Sequence, residues 1–314
     1  MLQRIMTLST IHIKTGTDYY WKTIDTINNV KNNLITYFID TSGTSTTWHH
    51  SSDGILDINS TYIPSSLSRF IDNSFSSLDK ILDINFQRVN NREDAVIKIV
   101  HTDMNEIPGS GMSNAYGAAS SVYFDQYYDY DLSKWRAKDL TLEIIIKDDY
   151  IYQSSGNLNY YQEHIILHEI GHILNLEHPF EDDDGDFYGS TFGENAVDIS
   201  ETIMAYESND KPYTNWFTSL DIQALKEIWG ENFAPTNYRI STTKFNENIA
   251  ADSTVATLEA IDLDSTNTHT FSFVEGYVES SGNQYFYIEG NEIKIRNSPD
   301  YEVKSSYPIV IKTT

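Results

Sequence analysis

The chain has 314 residues, with 46 acidic side chains against 21 basic ones, a formal charge of −25 and no cysteine. Such acidity disfavours a phosphate-backbone partner, so no nucleic-acid role is expected. The missing thiols exclude disulfides, zinc–thiolate sites, a thiol nucleophile and latency through a metal-capping cysteine.

The length suits one large domain or two smaller ones. The N-terminal stretch MLQRIMTLSTIHIKTGTDYY holds no apolar core of signal-peptide length. No apolar run approaches the ~18 residues of a membrane span. This leaves a cytosolic chain, one exported without a cleaved signal, or one whose signal precedes this sequence.

In chain order, LITYFI at 34–39 reads as a strand, being β-branched, aromatic and short. Ser65 to Leu82 follows Pro64 and keeps Leu67, Phe70, Ile71, Phe75, Leu78, Ile81 and Leu82 at helical spacing. INFQRV (84–89), AVIKIV (95–100), SVYF (121–124) and the buried-looking LEIIIK (142–147) read as strands. A helix is expected from about Tyr160 to Leu174, which predicts an α+β domain with a mixed twisted sheet on two long helices. Leu220 to Trp229 forms a further helix, started by the capping pair Thr218 and Asp221 and stopped by Gly230. ENFAPTN then reads as a linker broken by Pro235. Beyond it TVATLEAI, HTFSFV, YFYIEG, NEIKIRN and YPIVIKTT are short strands between turn residues, the pattern of a small all-β sandwich. The expected domains are 1–233 and 234–314.

HEIGHILNLEH at 168–178 carries the chemistry. His168 and His172 lie four apart on a helix and share a face, so both can reach one metal. Glu169 stands beside the first histidine, where it can act on a water without ligating. Catalytic zinc takes three protein ligands and leaves the fourth position open. His178 is the third candidate, but a continuing helix would carry it about 9 Å along the axis and about 600° round it. The helix must therefore end and the chain double back. Asn175 suits that reversal, since asparagine tolerates the left-handed conformation next best after glycine. Two histidines on one face also suit a merely solvated helix, and the third histidine followed by Pro179 argues against that. His164, one turn earlier, lacks an adjacent glutamate and reads as a helix-surface or supporting residue.

HEIGHILNLEHP, followed by TIMAY at 202–206, resembles the metzincin zinc endopeptidases, and their serralysin branch above all. NNLITYFI and TSLDIQALKEIWG resemble the first strand and last helix of that catalytic domain, so the likeness spans most of residues 30–230. It departs at Asn175, where glycine is usual, and lacks the glycine- and aspartate-rich nonapeptides that follow many serralysins. The resemblance implies that Met204 forms a hydrophobic floor beneath the imidazoles. It also implies that Tyr206 is a further zinc ligand that swings to bond the oxyanion. Glu169 would be the general base, and an extended protein or peptide substrate would pair with a sheet edge, for which SVYF is the candidate.

FNENIAADSTVATLEAIDLDS and SPDYE resemble a cadherin repeat. That likeness implies calcium on Glu247, Asp262, Asp264, Asp300 and Glu302, with Asp262 and Asp264 near the junction and the other three at the far end. It also implies further domains beyond Thr314. EDDDGD at 181–186 begins like a calcium loop, but Phe192 stands where a bidentate glutamate belongs, so it reads as a solvated loop. The leading expectation is a secreted or cell-surface zinc endopeptidase without a cleaved N-terminal signal. The competing ones are a calcium-dependent adhesion protein whose peptidase module is inactive or processes only itself, and a different zinc hydrolase.

Overall fold

The computed structural model describes residues 7–50, 54–103, 116–147, 158–182, 185–233, 235–262, 269–276 and 278–313. The architecture is mixed α+β, in two compact units, Met1–Glu231 and Asn232–Thr314. Among the described residues no helix is long and apolar enough to cross a membrane.

The first unit is built on a five-stranded sheet. Its strands are β1 (Leu34–Ile39), β4 (Asn85–Arg88), β5 (Ile97–Thr102), β6 (Gly117–Phe124) and β9 (Asp139–Lys147), in the order β4-β1-β5-β9-β6. β4, β1, β5 and β9 run parallel, and β6 alone is antiparallel to its neighbour. β9 is buried over all but its first residue, as expected of a central strand with both faces covered. Among the described residues β6 ends the sheet, with one row of its backbone groups facing no further strand.

Among the described residues four α-helices accompany the sheets, α1 being one more than the three expected from the sequence: α1 (Thr17–Val30), α2 (Ser65–Leu78), α3 (Tyr160–Ile173) and α4 (Ser219–Trp229). α2 turns Leu67, Ile71, Phe75 and Leu78 inward and stops before Leu82, which bridges to Glu231 instead. α1 is held to β8 (Lys134–Arg136) by Arg136, whose Nε and Nη2 each donate to Asp25 at 2.8 Å. The main core gathers Ile35, Ile97, Ile144, Phe75, Leu167, Ile170 and Leu225 between helices and sheet. A hairpin of β2 (Ser45–His50) and β3 (Gly54–Asn59) encloses a smaller cluster of Trp48, Ile58, Val100 and Ile145.

The second unit is β-sandwich-like and antiparallel. β10 (Asn237–Ile240), β11 (Thr254–Ile261), β14 (Glu292–Ile295) and β13 (Phe286–Glu289) form one sheet, and β12 (Phe271–Phe273) pairs with β15 (Ile311–Thr313). Val255, Leu258, Phe286, Ile293, Ile295 and Ile311 fill its core.

Candidate metal centre

α3 starts at a capping box. Asn159 Oδ1 accepts from the Gln162 amide at 2.9 Å, and Gln162 Oε1 accepts from the Asn159 amide at 2.8 Å. The helix ends at Ile173, and Asn175 has φ 68°. The Asn175 amide donates to the His172 carbonyl at 3.0 Å, and the Leu176 amide donates to the Gly171 carbonyl at 2.9 Å. That pair of bonds is a Schellman ending, with asparagine in the left-handed position. The N-terminal segment then grips the reversed chain: Thr15 N donates to the Asn175 carbonyl and Glu177 N to the Ile13 carbonyl, each at 3.0 Å.

The reversal returns His178 to the helix. The three Nε2 atoms of His168, His172 and His178 lie 3.1, 3.1 and 3.2 Å apart. Each Nδ1 faces an oxygen: Ile203 O for His168 at 2.8 Å, Leu176 O for His172 at 3.0 Å and Glu181 Oε1 for His178 at 2.7 Å. Carbonyls and carboxylates only accept, so each Nδ1 carries the proton and each neutral ring keeps its Nε2 lone pair. The three Nε2 lone pairs therefore converge with no N–H among them. Burial, then the neighbouring rings, push the pKa of His168 well below the usual histidine value, and that of His172 to about 3. His168 and His172 therefore stay neutral at physiological pH. A cation can use these lone pairs: the three Nε2 atoms would hold a divalent metal ion, and three protein ligands would leave it a position open.

The flanking groups follow from the same turns. The Tyr206 hydroxyl lies 2.8 Å from His178 Nε2, to which it donates. Burial first, then the carboxylates of Glu169 and Glu181, raise its pKa to about 12. Met204 is fully buried, and a Cβ on Gly171 would lie 2.7 Å from its sulfur. The glycine of HEIGH thus makes room for Met204 against α3. Asp221 holds this turn: it accepts from Thr202 Oγ1 at 2.5 Å, Ile203 N at 3.0 Å and Thr218 N at 2.8 Å, and so couples the turn to the start of α4.

Glu169 is buried, and burial lifts its pKa to about 8. Its carboxylate lies against β6, where a Cβ on Gly117 would meet Oε1 at 2.6 Å. Two cavities of about 400 and about 360 Å³ flank the histidines and share Gly117, His168, Glu169 and Tyr206. The smaller one runs along Gly117–Ser121, so the cleft meets the first half of β6 rather than SVYF as a whole.

Several partners have little sequence signal. Glu181 belongs to a segment that reads as a solvated loop; burial raises its pKa, but the bonds from His178 and the charges of His178 and His172 together lower it. An acid three residues after the third histidine was the available sign. Gly117 gave none, because its role lies in a contact distant along the chain. His164 corrects its surface reading: it is 4 % exposed and lines the larger cavity.

In the second unit, carboxylate oxygens of Glu247, Asp300 and Glu302 lie within 4.8 Å of one another, all on exposed residues. The group can hold a cation, and its geometry does not name one. Asp262 instead faces His269, with 3.5 Å between Oδ2 and Nε2. Asp264 lies outside the described residues, as do Asp183 and Asp184 of EDDDGD.

No family model matches the chain, and no curated protein does. Among solved structures, the GM1-bound form of the ECX AB5 holotoxin aligns over 71 % of this chain and 90 % of its own, at 17 % identity and a TM-score of 0.35. A score that low supports no statement about this chain. The motif-based assignment to serralysin-like metzincins followed by a cadherin repeat is corrected: no model of either family matches the chain. Short motifs set ligand spacing, whereas a family requires likeness along whole domains.

Proposed function

We propose that the first unit is a zinc-dependent endopeptidase that hydrolyses peptide bonds of protein or peptide substrates. The observation that supports this most is the convergence of three Nε2 lone pairs whose Nδ1 protons are all committed elsewhere. The donor set fits zinc, which takes neutral imidazoles in tetrahedral sites, and His168, His172 and His178 would hold it. Bound there, zinc supplies Lewis acidity toward a carbonyl and an attacking water.

The chain's own groups do the rest. The Glu169 carboxylate takes a proton from the attacking water and passes it to the leaving nitrogen. Its burial tunes it toward both tasks, because a base with a pKa near ambient pH both accepts and releases a proton readily. Tyr206, with its hydroxyl kept protonated, donates to the developing oxyanion. The outer edge of β6 at Gly117–Ser121 aligns an extended substrate backbone along the cleft.

Calcium on Glu247, Asp300 and Glu302 is proposed for the second unit, since a hard cation takes carboxylate oxygens. Thermal unfolding of the full chain with calcium or chelator tests it; an unmoved midpoint rejects it.

The experiment for the first unit is metal content by mass spectrometry with casein hydrolysis before and after chelation. One zinc per chain and hydrolysis restored by zinc are expected. Stoichiometric zinc without hydrolysis, or hydrolysis that survives full metal removal, rejects the proposal.

A further inference from the structure

The peptide unit that joins Leu176 to Glu177 faces two ways. Its carbonyl accepts from His172 Nδ1 at 3.0 Å, and its N–H donates to the Ile13 carbonyl, also at 3.0 Å. A peptide unit is planar, with its C=O and N–H pointing in opposite directions, so fixing one group fixes the other. Ile13 therefore stands at the outer end of a relay that runs through this plane to a ligand imidazole. Hydrogen bonds in such a chain polarise one another, so a Leu176 carbonyl whose plane also donates is a better acceptor.

Ile13 is itself held. It ends a single 3-10 turn, Thr10–Ile13, and its side chain is fully buried in the main core. Two residues on, the Thr15 amide donates to the Asn175 carbonyl at 3.0 Å. The N-terminal segment thus bonds on both sides of Leu176, with Lys14 and Leu176 paired as an antiparallel bridge. Lys14 Nζ and Thr10 Oγ1 each donate to Glu227 on α4 at 2.8 Å. α4 also holds the helix end directly, since Trp229 Nε1 donates to the Leu174 carbonyl at 2.9 Å. The carbonyls of Leu174, Asn175 and Leu176 are each assigned to a different group: the indole on α4, the Thr15 amide and the ligand ring. Loss of the N-terminal bonds frees the plane after Leu176 to turn, which takes the acceptor from His172 and moves the residue next to His178.

We propose that Ile13–Thr15 is a positioning strap for the metal centre: its backbone sets the ring of His172 and the approach of His178, and the zinc affinity of the chain depends on its being zipped to the turn. As a statement about zinc it rests on the metal reading of the three histidines; as a statement about the His172 ring it does not. Groups that orient a ligating histidine through its second nitrogen carry about 10- to 100-fold in metal affinity.

The test uses the full chain. Thr15→Pro removes the amide that bonds Asn175, and Lys14 already has the extended backbone that a following proline requires, at φ −108° and ψ 121°. Thr15→Ala keeps the amide and is the control. Zinc affinity, measured by competition with a chromophoric chelator, should fall at least about 10-fold in Thr15→Pro and be unchanged in Thr15→Ala. In the chelated protein, nitrogen NMR should show His172 as the Nδ1–H tautomer in the natural chain and as a mixture in Thr15→Pro. A second route avoids proline: Lys14→Glu should weaken zinc binding by opposing Glu227, and Lys14→Glu combined with Glu227→Lys should recover it. If Thr15→Pro does not fold, this pair decides by itself. A strap that serves the fold alone would lower the thermal midpoint of the metal-free protein and leave affinity and tautomer where they were, and that result overturns the proposal. Full zinc affinity in both Thr15→Pro and Lys14→Glu overturns the strap and leaves the metal reading standing. Absence of zinc binding in the natural chain rejects the metal reading, and the His172 tautomer then decides the strap.

Discussion

Gly117→Ala tests the site through a residue that carries no chemistry of its own. A Cβ there would lie 2.6 Å from Glu169 Oε1, 2.7 Å from its Cγ and 2.9 Å from its Cδ. All three are closer than real Cβ contacts come. To reach an ordinary contact of about 3.4 Å, the carboxylate must retreat by about 0.8 Å, or β6 must move away by as much. Neither shift is free: Glu169 is buried on α3, and β6 is paired with β9 along its whole length. A general base displaced by about 1 Å loses about 100-fold in rate, because proton transfer needs hydrogen-bond distance. Zinc binding should persist, since the three atoms nearest to such a Cβ all belong to Glu169 and none to an imidazole. The assay is kcat/KM on a fluorogenic peptide, with zinc content and thermal midpoint measured on the same samples. Glu169→Ala sets the floor, several orders of magnitude below the natural chain with zinc retained. In the double variant Gly117→Ala should then cost almost nothing further, because its effect acts through the carboxylate. Full activity in the single variant, or an undiminished second loss on the Glu169→Ala background, would refute the placement of Glu169 as base against this strand.

Asn175→Gly should be tolerated, whereas Asn175→Val at φ 68° should cost about 1–2 kcal/mol and weaken zinc retention by misplacing His178; a competitive chelator titration measures this. Glu181→Gln removes the carboxylate that fixes His178 Nδ1 at 2.7 Å, and zinc affinity should fall about 10- to 100-fold, read by the same titration. In the metal-free protein Glu169 binds its proton more tightly folded than unfolded, with a pKa of about 8 against 4.5. Its contribution to stability is therefore fully present below about pH 4.5 and is lost as pH rises through about 8, by at most a few kcal/mol. Unfolding of the chelated protein across that window should show the decline, and Glu169→Gln should flatten it.

The fold was legible where a residue's role is local. LITYFI, the α2 stripe and LEIIIK carry their burial in their spacing, and the structure places β1, α2 and β9 on them. The need for a reversal before His178 follows from helix geometry alone, and Asn175 supplies it at φ 68°. What stayed hidden was stabilised from a distance. α1 buries the polar Thr23, Asp25 and Thr26 beside Ile27 and is tied down by a polar contact from Arg136 to Asp25. The β2–β3 hairpin closes over Val100 and Ile145, strand residues far along the chain.

The candidate centre divides the same way. Metal ligands must share a helix face or a forced turn, so the ligand spacing survives in the sequence. The groups that tune those ligands need only end up close in space. Ile203 and Leu176 act through backbone carbonyls, which any residue would supply. Gly117 acts through the side chain it lacks. Residues that work by such means leave no motif. The ligand set of a candidate metal centre can therefore be read from one sequence while the groups around it cannot, because those are decided by which distant residues the fold brings close.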